Sequence, residues 1–303
     1  MSDRMRRLSL LICSQLVLAA LCSGMALASD EELLDLVRAG MYHRYTSITT
    51  CKGALHLVAT RPAPDDPSQE KRMFERTITV AFDGNRLRIS GKAMSDADVN
   101  YQEAFDGEKT TEFIDPGIAD ATSTARITAG STGIGSGDFA VFVDPRSIGG
   151  LPLKTLEGDV DGSMKVVGRE VLGGENCVVL EVTSNPLASA GGGHMTGKLW
   201  VAMDKGCAVP QASWAFVRSG SSTPIPMREE TAAFRQCGDG LWAPTAYTRV
   251  DYHPDGTIEK KVIGTYDLDF GINVSVGEED VRLTLPSGTS VYDQRIGAAY
   301  TTP

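Results

Sequence analysis

The sequence predicts a mainly β (α+β) fold: a long antiparallel sheet preceded by one N-terminal amphipathic helix. Three observations carry this. Leu33, Leu34, Val37, Met41 and Tyr45 recur at helical spacing. From Cys51 onward the apolar residues alternate with period two, in short runs separated by turn sequences such as Asp83-Gly84-Asn85 and Asp106-Gly107-Glu108. Few long crossovers are needed between these runs, so neighbours pair locally and a parallel sheet is not expected.

The chain opens with a targeting segment, residues 1–28. Arg4, Arg6 and Arg7 form a basic start, Leu8 to Leu21 an apolar run, and Ala26-Leu27-Ala28 a small-x-small cleavage signal, which predicts export with cleavage between Ala28 and Ser29. The apolar run is too short to serve comfortably as a membrane span. A twin-arginine signal at Arg6-Arg7 fits poorly in the positions that follow, and bulky Leu21 argues against lipidation of Cys22. A periplasmic or otherwise exported protein is expected, with residues 29–303 as one domain.

The formal charge is −10 over 303 residues; removing three Arg and one Asp with the leader makes it −12. Such acidity excludes nucleic acid and anionic membrane surfaces as natural partners. Four cysteines follow the leader: Cys51, Cys177, Cys207 and Cys237. An even count in an exported protein predicts two disulfides, and Cys177–Cys207 with Cys51–Cys237 is the preferred pairing, with Cys207–Cys237 as its rival. Free buried thiols and a metal site are the competing readings. No CxxC or HxxxH pair is present.

Ser29-Asp-Glu-Glu32 is a capping box for the first helix. Its acidic residues come first and Arg38, His43 and Arg44 late, matching the helix dipole. Strands are expected from Cys51 to Ala59, Arg72 to Phe82, Arg86 to Ser90, Tyr101 to Phe105 and Lys109 to Ile114. Residues 115–155 show no dominant period and are read as helix fragments and loops. Strands resume at Cys177–Thr183, Lys198–Asp204, Val209–Arg218, Glu229–Gln236, Thr245–Tyr252 and Ile258–Phe270, with a closing strand and loop over 281–293. If Cys177 to Cys237 folds as two hairpins, three of the thiols gather near one end of the sheet.

Catalytic signatures are not evident. Gly133-Ile-Gly-Ser-Gly137 lacks the strand–turn–helix context of a phosphate loop, and no G-x-S-x-G elbow occurs. His43, His56, His194 and His253 are scattered, and acidic pairs such as Asp65-Asp66 and Glu229-Glu230 read as solvated surface. Asn273-Val-Ser275 matches a glycosylation sequon by pattern. No cofactor is expected.

The order of elements resembles the LolA/LolB lipoprotein-carrier superfamily. So do Gly168-Arg-Glu-Val-Leu-Gly173, Cys177-Val-Val-Leu-Glu-Val182 and Lys198-Leu-Trp-Val-Ala-Met-Asp204, and near the end Gly240-Leu-Trp-Ala-Pro244 and Leu285-Pro-Ser-Gly-Thr-Ser-Val-Tyr-Asp293. The resemblance implies a strongly curved sheet or incomplete β-barrel with a short helical or loop lid, its concave face holding a lipid or an acylated protein. Candidates for that face are Leu55, Leu57, Ile78, Val80, Leu87, Ile89, Trp214 and Phe216. The same residues would equally fill an ordinary core. A site is expected where Trp214 and Phe216 face the 115–155 segment. A sensor binding another envelope protein is the alternative function.

Overall fold

A computed structural model describes residues 29–84, 86–92, 99–118, 121–130, 162–184 and 192–303. The leader with Ala28 and Cys22, residues 131–155 of the expected lid, and Gly191 lie outside the described residues.

Ser29 caps helix α1 (Asp30–Ser47) as its sequence predicts. Its hydroxyl accepts from the Glu32 N–H at 3.3 Å, and Glu32 Oε2 accepts from the Ser29 N–H at 2.9 Å. Two donors that a helix start would leave orphaned are thereby satisfied. Donation to that carboxyl from the Ser29 N–H foremost, and from the Ser29 hydroxyl at 3.0 Å, holds it below its ordinary pKa. Leu33, Val37 and Met41 are fully buried. Arg44 extends their stripe: rather than lying at a solvated helix end, it is 3% exposed and sits over the Phe234 ring at 5.7 Å. Burial lowers its pKa to about 10, against the pull of Cys207 and Cys237.

The strands form one curved, unclosed sheet. A first meander comprises β1 (Thr50–Pro62), β2 (Glu70–Asp83), β3 (Arg86–Lys92), β4 (Asn100–Phe105), β5 (Lys109–Asp115) and β6 (Thr124–Ala129). The last of these is a strand inside the stretch read as helix fragments and loops. A second meander comprises β7 (Gly162–Leu172), β8 (Glu175–Ser184), β9 (His194–Ala202), β10 (Ala208–Val217), β11 (Pro224–Gln236), β12 (Trp242–Tyr252) and β13 (Ile258–Tyr266). Antiparallel pairing of β1 with β13, Leu55 opposite Tyr266 and Ala59 opposite Val262, joins the two meanders.

The C-terminal segment adds β14 (Gly271–Ile272) beside β1 and then crosses one face of the sheet, where α2 (Glu278–Val281) packs on β2 and β3. It ends in β15 (Ser290–Asp293) and β16 (Ala298–Thr301), and β15 pairs with β6 in parallel. This departs from the antiparallel expectation. A strand delivered by a crossover over the sheet, rather than by a hairpin, can arrive in either direction. Among the described residues β7 and β16 are the edges.

Asn273 ties the end of α1 to the sheet. Its backbone is left-handed (φ 53°), its Oδ1 accepts from Thr49 N–H at 2.9 Å, and its Nδ2 donates to the Ser47 carbonyl at 2.8 Å. The amide of the sequon is therefore engaged in the fold, and asparagine is among the few side chains that tolerate this backbone.

Candidate functional site

Cross-strand register fixes which side chains share a face, because alternate residues point to opposite sides. Leu55 opposes Ile78, Val80 opposes Ile89, and Phe82 opposes Leu87. Following these partners across the sheet gives one inner face. On it Leu55, Leu57, Ile78, Val80 and Ile89 form a buried apolar cluster with Val262, Tyr266, Phe270 and Ile272, and Leu87 packs against it partly buried. Six of the eight predicted residues therefore come together.

Trp214 lies elsewhere on the same face. It packs against the second cluster, in which Leu33, Val37 and Met41 of α1 cover Val178, Leu180, Leu199, Val201 and Ala212. Its ring lies over Gly197, the residue opposite it on β9, where a Cβ would stand 2.5 Å from the indole. Phe216 is half-buried near the end of β10, over Gly193, and belongs to neither cluster. The described part of the 115–155 segment, β6 included, lies in the opposite wing of the sheet from β10. A third cluster, Phe113, Ala125, Ile127 and Val291 with Leu283 and Leu285, packs on the outer face. A polar cleft of about 370 Å³, lined by Lys52, Thr79, Arg88, Ser90, Glu279 and Asp280, also opens there.

Between the two inner clusters stands a group of charges that the sequence reading missed. Register places Trp214 opposite Arg228, Arg228 opposite Asp251, and Asp251 opposite Lys260; the next row is Ala212, Glu230, Arg249 and Val262. Asp251 Oδ1 accepts from Arg249 Nε at 2.9 Å and Arg228 Nε at 3.1 Å, while Lys260 Nζ is 3.7 Å from Oδ2. Arg228 Nη1 reaches Glu230 Oε1 at 3.5 Å. Glu230 is 2% exposed, so it is not half of a solvated acidic pair; Glu229 points the other way and accepts from Tyr252 Oη at 2.9 Å. Burial pushes the Glu230 carboxyl up, opposed by Arg228, Tyr247 and Arg249, and burial together with Glu230 pushes the Tyr247 phenol up. One signal in the sequence could have found the group. Arg228 and Glu230, and Arg249 and Asp251, occupy the alternation phase that carries the inner apolar residues.

The opposite wing of the same face also carries charged groups. Glu103, 4% exposed, accepts from Tyr101 Oη at 2.8 Å, and Glu112 opposite it meets Arg126 Nε at 3.2 Å. Burial foremost, then Glu103, pushes the Tyr101 phenol above its ordinary value.

The four cysteines are free thiols, so neither proposed disulfide is formed. The reason for one pair is parity. Cys177 precedes inward-facing Val178 and so points outward, toward charges that include Glu175 and Asp204, whereas Cys207 belongs to the inner cluster beneath α1, 3.7 Å from the Met203 sulfur. Cys51 and Cys237 do share the central cluster but remain unbonded. The rival pair, Cys207 and Cys237, flanks Arg44 instead. No group of His, Cys, Asp and Glu suited to a metal ion occurs among the described residues, and no described helix is long and apolar enough to cross a membrane.

No family model and no curated protein matches the chain. Among solved structures, it is similar to one named as an outer membrane lipoprotein-sorting protein domain from Vibrio parahaemolyticus. That match has 10% identity over 82% of this chain and 95% of that one, with a TM-score of 0.46. It is also similar to a LolA superfamily protein from Nitrosomonas europaea, at 13% identity over 84% of this chain and 98% of that one, with a TM-score of 0.45. These are likenesses of shape alone.

Proposed function

We propose that this chain is an exported, non-catalytic binding protein, and that residues 29–303 act as one half-barrel holding the acyl part of a lipid or acylated protein against the inner face. The observation that supports this is the apolar character of that face on both sides of the charged group. The central cluster runs from Leu55 and Leu57 to Val80 and Ile89, and beyond the charges α1 packs on a second cluster carried by β7 to β10. Side chains of this kind favour an apolar neighbour over water, so the face suits an acyl chain better than a polar ligand.

Native mass spectrometry of the protein expressed with its leader and isolated from the periplasm tests the reading. A co-purifying lipid, or saturable binding of a fluorescent fatty acid, is the expected result. Absence of both would reject it.

A second reading draws on the sheet edge. Strand β7 is paired on one side only among the described residues and exposes Val171 at 70% and Val167 at 44%. An envelope protein partner adding a strand there would cover both. In vivo cross-linking from a photoreactive residue at position 171 distinguishes this reading, which predicts a protein adduct and no bound lipid.

A further inference from the structure

We propose that the polar cleft on the outer face of β1–β3, walled by α2, binds a small zwitterion, with its oxyanion on the sheet and its ammonium at Glu279. This is a second site, separate from the inner face, and it does not depend on the carrier reading above.

The first ground is space. On the outer face Lys52, Ala81 and Arg88 stand opposite one another in one row of the register, and Ala54, Thr79 and Ser90 in the next. Neighbouring strands lie about 4.8 Å apart, so two strand spacings separate the backbones that carry the two cations. Only the Ala81 methyl stands between them. The cleft that opens there, about 370 Å³, suits a small organic molecule rather than a bare ion.

The second ground is hydrogen-bonding capacity. Arg88 donates through Nη1 to the Glu279 and Arg282 carbonyls at 3.1 and 3.0 Å, and through Nη2 to Gln102 Oε1 at 2.7 Å. Those bonds fix the guanidinium without using its Nε–H, which has no acceptor among the described residues. Lys52 Nζ, half exposed, lies 2.6 Å from Asp280 Oδ1, an ion pair that leaves it further N–H groups. The Thr79 and Ser90 hydroxyls bond to each other where they line the cleft. An oxyanion seated over Ala81 would therefore meet donors held in place before it arrives.

The third ground is charge. Lys52 and Arg88 share the lining with two carboxylates, Asp280 and Glu279, so the cleft is balanced and favours neither an anion nor a cation alone. Asp280 is already engaged: besides Lys52, it accepts from the Gly277 N–H at 2.9 Å. Glu279 is not. Its carboxylate lies against Gly277 and makes no hydrogen bond or ion pair among the described residues. A ligand carrying both charges matches this lining, its ammonium at Glu279 and its oxyanion between Arg88 and Lys52.

Calorimetric titration of the full leaderless chain tests this with L-alanine and phosphoethanolamine, their ammonium-free counterparts propionate and ethyl phosphate, and ethylamine. At least one zwitterion should bind saturably, about fivefold tighter than its counterpart anion or than ethylamine. L-alanine as the tighter ligand assigns the oxyanion as a carboxylate, and phosphoethanolamine assigns it as a phosphate. Glu279→Gln, at an exposed side chain, should remove most of the margin over the anion. Ala81→Leu should block binding by filling the floor of the cleft, and Thr79→Val should weaken it if the larger side chain disturbs folding. Absence of binding by both zwitterions would overturn the site. Equal affinity for each zwitterion and its anion would overturn the ligand class, and binding unchanged in both Glu279→Gln and Thr79→Val would overturn its place. None of these outcomes bears on acyl binding at the inner face.

Discussion

Gly40 of α1 rests against Cys207 of the sheet so closely that a methyl group on its Cα would stand 2.2 Å from the Cys207 sulfur. The contact sets how near the helix lies to the β8–β10 wing, because Leu33, Val37 and Met41 reach their cluster only at that spacing. Gly40→Ala should destabilise the protein by about 1–3 kcal/mol despite alanine's better helix propensity. In a Cys207→Ala background the same change should be neutral or stabilising by up to about 1 kcal/mol. A urea-denaturation double-mutant cycle measures the coupling, and additive effects would show that the two residues do not touch.

The buried thiols predict an alkaline limit to stability. Burial raises Cys207 to about 12 and Cys177 to about 11, from an ordinary value near 9. In the unfolded chain these thiols ionise near pH 9, while in the folded one they keep their protons. Their contribution is whole below pH 9 and is lost as the pH rises toward 11 and 12. Urea midpoints should fall over that window, and less so in Cys207→Ala. Labelling in denaturant without reductant should find four thiols in the leaderless protein.

Leu57 is fully buried in the central cluster, between Arg76 on β2 and Gly264 on β13. Leu57→Ala should cost about 2–5 kcal/mol, from lost transfer energy and the cavity left behind. If the site instead collapses readily or is filled by ligand, the loss measured in urea will fall below about 1.5 kcal/mol.

Gly197 gives the Trp214 ring its seat. Gly197→Ala should displace the indole, destabilise by about 1–3 kcal/mol and shift the tryptophan emission toward longer wavelength. Unchanged emission would mean that the ring does not lie over residue 197.

Asn273 should tolerate glycine better than alanine. Asn273→Ala loses both clamp bonds and retains the left-handed strain, for about 1–3 kcal/mol. Asn273→Gly loses the bonds alone, so thermal melts should rank the native chain first, the glycine variant second and the alanine variant last.

Much of the fold was legible along the chain. The capping box marked the start of α1, and alternation located β1 to β5 and β8 to β13 to within a few residues, because each signal depends on neighbours only two to four positions away. Of the candidate site, Leu55, Leu57, Ile78, Val80, Leu87 and Ile89 did fall on one face. Glu230 was misread because a charged residue beside another acid looks solvated, and only its partners on β10 and β12 bury it.

The sequence by itself determined the elements, their order and which residues of a strand point the same way. Helical and strand periods are local properties of the backbone, and they hold wherever the strand is later placed. The tertiary structure decided everything that depends on distant strands meeting: β1 beside β13 across some two hundred residues, β15 parallel to β6, and Cys177 turned away from Cys207. It also decided that Arg228, Arg249 and Lys260 share one buried carboxylate. Alternation assigns a face, but register alone says which charges stand opposite one another on it.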